Sequence, residues 1–250
     1  MFLKRENPAV SCCNPVRSDN VKVSVVIPAY NEEKYIEDCL VAIEEQKDSK
    51  VEIIVVDNKS TDSTGEIAEL YADKVVREDR KGVAIARQRG FLEATGEIVA
   101  YTDADTVVAE DWIENIRESL NGNNMGVYGP VYLLDGYAIE EAASKYAFTY
   151  FLQLNHLIGL PNISGQNFAV KREAIKKVGG FNTKLKSAED VELGRRIKKI
   201  GELEFNSKLR VYTSARRLRA GHQKFLTHHT LNYLSLLLLG KTRDFEDVRL

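Results

Sequence analysis

The chain has 250 residues, 44% hydrophobic and 29% charged, so it can bury a sizeable core as one large domain or two small ones. A net charge of −2 gives no basic signature of a nucleic-acid binder, and no nucleic-acid partner is expected. Cys12, Cys13 and Cys39 match neither a zinc site nor a paired disulfide framework, which points to a reducing, cytoplasmic setting.

In chain order, residues 1–20 mix Pro, Asn, Ser and charge without period and read as a loose tail. Lys4, Arg5 and Glu6 have no apolar run behind them, so no signal peptide is expected. Lys22–Ile27 alternates into a buried strand that Pro28 should stop. Pro28–Glu33 reads as a loop, with Asn31 as the cap of a helix running to about Gln46. Val51–Val56 is a second strand, closed by Asp57. The polar loop 58–64 offers Ser60 or Asp62 as a cap for a helix over Thr64–Tyr71. Lys74–Arg77 is a third strand, and Gly82–Ala94 a helix carrying Arg87 and Arg89. Ile98–Thr102 is a fourth strand, and it ends in Asp103-Ala104-Asp105. Asp111–Leu120 is amphipathic, with Trp112, Ile113, Ile116 and Leu120 on one side. Strand and helix alternating in units of about thirty residues predict parallel βαβ topology, and residues 1–120 read as a nucleotide-binding α/β half.

The second half has another character. Gly126–Leu134 alternates as one strand, and Ile139–Leu160 reads as one long aromatic helix. Residues 163–170 form a loop entering a strand, and Arg172–Val178 is a short helix ending at Gly179-Gly180-Phe181. Glu189-Asp190 opens a helix through Lys199, and Leu203–Phe205 and Arg210–Thr213 are short strands. Phe225–Leu239 is apolar and helical, and its longest apolar stretch, Leu234–Leu239, is too short to span a bilayer.

Three strands of the first half end at residues suited to chemistry: the loop after Pro28, Asp57, and Asp103 with Asp105. In a parallel sheet these ends share one crevice. Two acids two apart suit a hard divalent cation that also holds phosphate oxygens; the plainer alternative is a solvated turn with two surface aspartates. Asp57 can accept a hydrogen bond from a base N–H, or simply close a turn. Neither a Gly-x-Gly-x-x-Gly after the first strand nor a Gly-x-x-x-x-Gly-Lys is present, so a bound diphosphate needs another counter-charge. Glu189-Asp190 can serve the helix dipole or supply a general base. Between Ser207 and Thr230 lie six Lys/Arg, three His and no acid. Arg216, Arg217, Arg219 and His222 can face a pyrophosphate, with His222 as a candidate metal ligand. The same block can instead face anionic lipid, with Phe225–Leu239 lying in the interface, or form a solvated basic face beside a core helix.

With these residues in place, the chain resembles the family 2 inverting glycosyltransferases over about Val21–Leu218. The matching pieces are Val-Val-Ile-Pro-Ala-Tyr-Asn-Glu-Glu at 25–33 and Ile-Val-Val-Asp-Asn-Lys-Ser-Thr-Asp-Ser-Thr at 54–64. Next come Gly82 with Ala86-Arg87-Gln88-Arg89-Gly90 and Ala94-Thr95-Gly96-Glu97, then Thr-Asp-Ala-Asp-Thr at 102–106. Last are Gly165-Gln166-Asn167-Phe168-Ala169-Val170 with Gly179-Gly180-Phe181, and Glu189-Asp190. Their order is what makes the resemblance specific.

The resemblance implies a GT-A fold, an α/β architecture with a Rossmann-like mixed sheet flanked by helices. It implies a transferase domain over 21–222, divided into a nucleotide-binding half (21–120) and an acceptor half (121–222), with a C-terminal amphipathic helix and tail over 223–250. Pro28, Tyr30, Glu32, Asp57, Arg87 and Asp103 are expected on the nucleotide. Asp105, with Asp103 and His222, is expected on Mn²⁺ or Mg²⁺, and Asp190 is expected to be the base. Ser164, Gly165, Gln166, Glu189 and Arg216 are expected to border donor and acceptor.

The implied partners are a nucleotide-diphosphate sugar, UDP ahead of GDP, and a saccharide or lipid-linked acceptor. The C-terminal block adds an anionic membrane surface, with peripheral attachment to the inner face of the cell membrane. The Gln-x-x-Arg-Trp signature of processive synthases is absent. A polyprenyl-phosphate sugar synthase is the alternative, and one departure counts against it: the dolichol-phosphate mannose synthase branch continues its metal motif with Leu-Gln where this chain has Thr106-Val107. A catalytically inactive nucleotide-sugar-binding protein is the other; it predicts decay at Asp105 or Asp190, and both are present.

Overall fold

A computed structural model describes residues 21–216. The first half runs β1 (Val23–Ala29), α1 (Ile36–Glu44), β2 (Val51–Asp57), α2 (Thr64–Ala68), β3 (Lys74–Arg77), α3 (Val83–Glu93), β4 (Ile98–Tyr101), β5 (Thr106–Val108) and α4 (Trp112–Leu120). The second half runs β6 (Gly126–Tyr128), β7 (Val131–Leu133), α5 (Ala138–Ala142), a π-helical turn (Ala143–Phe148), α6 (Thr149–Leu157), β8 (Phe168–Lys171), α7 (Arg172–Lys177), α8 (Glu189–Lys198), β9 (Leu203–Phe205) and β10 (Val211–Thr213).

Seven strands form one mixed sheet in the order β3-β2-β1-β4-β8-β6-β9. The four from the first half are parallel, as their βαβ pattern predicts, and β8 joins antiparallel between β4 and β6. A small second sheet, β5-β10-β7, stands beside it. Both faces of the large sheet are covered, so β1 and β2 are apolar almost throughout. Val23, Val25 and Ile27 of β1 pack with α1 and α4 on one face, and Val26 packs with α3, α7 and α8 on the other. Helix α3 lies so close that a Cβ on Gly90 would overlap the Val26 side chain.

Four local expectations are corrected. Pro28 does not stop β1, which runs on to Ala29 with Pro28 level with Val56 of β2. The Ala29 carbonyl faces β2, where it accepts from Asn58 N, while the Val26 carbonyl faces β4, accepting from Thr102 N. By alternation Pro28 shares the Val26 side. There β4 has already ended, so no partner needs the missing N–H.

Asn31 does not cap α1, which begins at Ile36 behind Tyr35. Asn31 takes a left-handed φ of 53°, and its Oδ1 accepts from Thr61 N at 2.9 Å, bracing one loop against the other. Helix α2 begins behind Ser63, which makes no side-chain cap bond; Asp62, one residue earlier, braces the helix start by accepting from Thr64 N at its Oδ1.

Gly126–Leu134 is two strands in different sheets. The chain crosses over at Gly129-Pro130, where a Cβ on residue 129 would overlap the Leu209 carbonyl. The expected helix Ile139–Leu160 is α5, the π turn and α6, closed by Gly159 at φ 75°. It buries only Leu152 and Asn155, so the aromatic pattern is surface rather than core.

Candidate active site at the carboxyl edge of the sheet

The ends of β1, β2 and β4 meet at one edge, as parallel topology requires. Asp57 at the end of β2 is buried, and its Oδ1 accepts from Ser60 N at 2.9 Å. Its neighbour Asn58 ties its own loop to the 78–82 loop by three bonds. Asn58 Nδ2 donates to the carbonyls of Glu78 (2.9 Å) and Arg80 (2.7 Å), and its Oδ1 accepts from Gly82 N (2.8 Å). The clamp holds the 78–82 loop over the strand ends. There Lys81 Nζ lies 4.2 Å from the Tyr30 ring centroid and bonds its hydroxyl at 2.5 Å. An aromatic ring and a cation over a shallow polar floor can receive a flat base.

At the end of β4, Asp103 and Asp105 are 8% and 5% exposed, which removes the solvated-turn alternative. Asp103 Oδ1 accepts from Arg87 Nη2 at 2.7 Å, and Arg87 Nη1 bonds Glu189 Oε1 on the other side. Burial opposes the Arg87 charge, but Asp103, Glu189 and Asp190 outweigh it and hold the guanidinium protonated. Burial pushes the Glu189 carboxyl up to about 7; Arg87 pulls it down, and Asp190 pushes with the burial. A Cβ on Gly165 would overlap the Arg87 guanidinium, so glycine is the residue that lets the loop pass over it. The Gly165 amide in turn donates to Asp190 Oδ2 at 2.5 Å. Asp190 sits in the first turn of α8, entered through Ala188 at φ 57°. Arg87 therefore joins the β4 end to the α8 N-terminus, and the candidate base lies one residue from that joint. Beneath it Cys39 Sγ lies 3.5 Å from the Asp103 carbonyl, and burial raises its thiol pKa so that it stays protonated.

Asp105 faces a second arginine. Arg216 donates from Nη2 to Asp105 Oδ2 at 2.8 Å and to both oxygens of Glu32 at 2.5 Å, and from Nε to Asp105 Oδ2 at 3.2 Å. Its Cζ stands 4.5 Å from the Tyr35 ring centroid. Burial works against this charge as well, yet Glu32 and Asp105 raise the arginine's pKa above its ordinary value.

The donor chemistry fits a divalent cation. The carboxylates are hard oxygen donors, and a cation, here a guanidinium, is already seated on Asp105 Oδ2. Among the described residues no group of three or more His, Cys, Asp or Glu is placed to cage a metal. The fit is therefore to an ion held by one or two carboxylates and completed by substrate phosphates.

Of the residues expected at the site, Pro28, Tyr30, Glu32, Asp57, Asp103, Asp105, Gly165, Glu189, Asp190 and Arg216 belong to this edge. Arg87, expected on the nucleotide, is 3% exposed and bonded to protein carboxylates. Ser164 contributes its carbonyl to Asn167 N, and Gln166 Nε2 bonds Thr213 Oγ1 at 3.0 Å, toward the small sheet. His222, Arg217, Arg219 and the stretch Phe225–Leu239 lie outside the described residues, as does the 1–20 tail. Sequence reasoning missed the Asn58 clamp and the Tyr35 ring. It also missed Asn167, which accepts from Trp112 Nε1 and donates to the carbonyls of Pro130 and Leu209. Asn58 carried a weak signal, following Asp57 directly at a strand end.

The family model "Glycosyl transferase family 2" matches residues 24–179, more than half of the chain. Glycosyltransferase AglE of Haloferax volcanii is 30% identical over 183 residues, 70% of this chain and 60% of AglE. Glycosyltransferase GlyG of Streptococcus pneumoniae is 31% identical over 162 residues, 62% of this chain and 48% of GlyG. The chain thus spans less than two thirds of the length of either relative. The mannosyltransferase PcManGT from Pyrobaculum calidifontis, solved with GDP-Man and Mn²⁺, superposes with a TM-score of 0.72 at 25% identity, covering 95% of this chain and 70% of that one. Staphylococcus aureus TarS 1–349, solved with UDP-GlcNAc, superposes at 0.64 and 22% identity over 77% of this chain and 58% of that one, a likeness of fold.

Proposed function

Because the chain belongs to glycosyl transferase family 2 and is a glycosyltransferase of GT-A fold, we propose that it moves a sugar from a nucleoside-diphosphate donor to an acceptor hydroxyl by a metal-assisted, inverting single displacement. The observation that carries this is the joining of Asp103, two residues before Asp105, to the Glu189-Asp190 helix N-terminus through Arg87. On the same reading, we divide the chain into a nucleotide half to residue 120 and an acceptor half beyond it.

In this mechanism Tyr30, Lys81 and Asp57 receive the base and ribose. Asp105, with Asp103, would hold Mn²⁺ or Mg²⁺, which when bound neutralises charge on the departing diphosphate. The acceptor oxygen forms its bond to the anomeric carbon as the bond to the diphosphate oxygen breaks, and the electron pair leaves with the diphosphate. The hydroxyl proton passes to the Asp190 carboxylate, which the Gly165 amide holds in orientation. One displacement inverts the centre and needs no protein nucleophile.

The complexes of the two structural neighbours support a nucleotide sugar, one with GDP-Man and one with UDP-GlcNAc. A UDP-sugar remains the first donor to test. A lipid-linked acceptor has its own support. Tyr137, Ile139, Tyr146, Tyr150, Leu157 and Ile158 are all more than 60% exposed along one aromatic stretch, far more apolar surface than a saccharide alone requires. This version has the protein working peripherally on the inner face of the cell membrane; among the described residues no helix is long and apolar enough to cross one.

The test is a thermal-shift panel of UDP-, GDP- and dTDP-sugars with and without Mn²⁺, followed by donor turnover. A Mn²⁺-dependent shift with one nucleotide is expected, since a ligand of the native state stabilises it by RT ln(1 + [L]/Kd). A shift without turnover would overturn the proposal in favour of an inactive binding protein, and no shift with any donor would overturn it outright.

A further inference from the structure

We infer that Arg216 is an internal counter-cation for the Glu32–Asp105 carboxylate pair, and that a divalent metal gains Asp105 only together with a nucleoside diphosphate, which takes over the guanidinium. The inference rests on the metal-dependent reading above and adds an order of binding to it.

Glu32 and Asp105 come from the ends of two adjacent strands and are 3% and 5% exposed. Two buried carboxylates at one place repel, and each loses hydration; a cation between them is the ordinary remedy. The Arg216 fork supplies it, bonding both acids at once. The oxygen it occupies, Asp105 Oδ2, belongs to the carboxylate best placed for the metal. A divalent ion and a guanidinium sharing that oxygen would lie within a few ångströms of each other, where like charges repel strongly.

The same arginine is built to leave. Its side chain is 27% exposed, against 3% for Arg87. The backbone on which it stands is fixed beside Asp105. Ser214 N donates to the Asp105 carbonyl at 3.1 Å, and Ala215 N donates to Asp135 Oδ1 at 2.6 Å. Only the side chain must swing. A diphosphate offers the planar guanidinium a pair of oxygen acceptors in exchange for the carboxylates, and at the same time brings the phosphate oxygens that complete the metal's coordination. Metal and nucleotide then favour one another, and by linkage the coupling is reciprocal.

The experiment measures free Mn²⁺ by electron paramagnetic resonance during titration of the full chain, with and without UDP or GDP, for the parent and Arg216→Gln. In the parent, Mn²⁺ binds weakly without nucleotide and much more tightly with it. In Arg216→Gln, Mn²⁺ without nucleotide binds about tenfold tighter than in the parent, and the coupling to nucleotide shrinks by about tenfold or more. Thermal unfolding gives a second readout: Mn²⁺ raises the midpoint of the variant more than that of the parent. Should Arg216→Gln fail to fold, Arg216→Lys, which keeps the charge but loses the fork, is expected to shift both quantities in the same direction by less. Unchanged binding of Mn²⁺ without nucleotide in the variant, with normal Mn²⁺–nucleotide binding in the parent, overturns the inference and leaves the proposed function standing. Failure of the parent to bind Mn²⁺ with either nucleotide overturns the metal-dependent reading and this inference with it.

Discussion

Gly165 and Arg87 are in a relation of exclusion: the space that a side chain on residue 165 would fill is taken by the Arg87 guanidinium. The loop crosses the arginine closely enough for its amide to reach Asp190. Gly165→Ala is therefore expected to push the loop off the arginine, lower stability by about 1–3 kcal/mol and remove most of the transfer activity. Urea unfolding and donor turnover check it; wild-type values in both would show that the loop has room to give.

Arg87 carries the joint itself. Replacing it with Met leaves two buried carboxylates, Asp103 and Glu189, without their shared cation. The expected loss is about 3–5 kcal/mol, read as a lowered denaturant midpoint. Arg87→Lys should recover only part of it, because an ammonium cannot bond both acids in the fork geometry.

Asp190→Asn keeps the side-chain shape and an oxygen for the Gly165 amide, and removes the proton acceptor. Turnover is expected to fall by roughly 10²–10⁴, with nucleotide binding in Mn²⁺ unchanged. Asp105→Ala should lose turnover and Mn²⁺-dependent nucleotide binding together. Isothermal titration beside turnover separates the two variants, and retained rates in Asp190→Asn would remove it from the role of base.

The pH dependence of stability should show two windows of opposite sign. Burial would raise Glu52, but hydrogen bonds from Ser24 and Thr95 outweigh it and hold the carboxyl at about 2, below the ordinary 4.5. Its contribution is complete above pH 4.5 and is lost as the pH falls toward 2. Glu189 is raised from 4.5 to about 7, so the native state binds the extra proton between those values. Its contribution is complete below pH 4.5 and declines as the pH rises to 7, by at most about 1.4 kcal/mol per pH unit. Glu189→Gln should flatten the upper window and Glu52→Gln the lower one, measured by denaturant unfolding from pH 3 to pH 8.

Asn167 is fully buried and links α4, the Gly129-Pro130 crossover and the Leu209 carbonyl. Asn167→Ala strands the Trp112 indole N–H and two carbonyls at once, with an expected cost of about 2–4 kcal/mol in chemical denaturation. A cost near zero would mean that the crossover is held by packing instead.

Much of this molecule follows from local pattern. The apolar runs at Val23–Ile27 and Val51–Val56, each followed by a helix, determined parallel strands, and parallel strands determined that Asp57 and Asp105 share an edge. The order of motifs from residue 25 to residue 190 determined the family, and with it the residues to inspect. Period and propensity act over a few residues, and the first half is built of such units.

Tertiary structure decided what depends on distant partners. Pro28 stays in its strand because of where β4 stops. The 126–134 run divides because Leu209 crowds Gly129, and the aromatic stretch after Tyr137 stays exposed because no described element covers it. The two arginines show the limit most plainly. Arg87 and Arg216 carry the same charge; the sequence places Arg87 on the nucleotide and lets Arg216 face a pyrophosphate. One is 3% exposed between acids 86 residues apart in the chain, the other stands at the mouth on Glu32 and Asp105. An arginine's role is set by the carboxylates that folding brings within hydrogen-bond reach, and that distance is written in the packing of the sheet rather than in the neighbours of the residue.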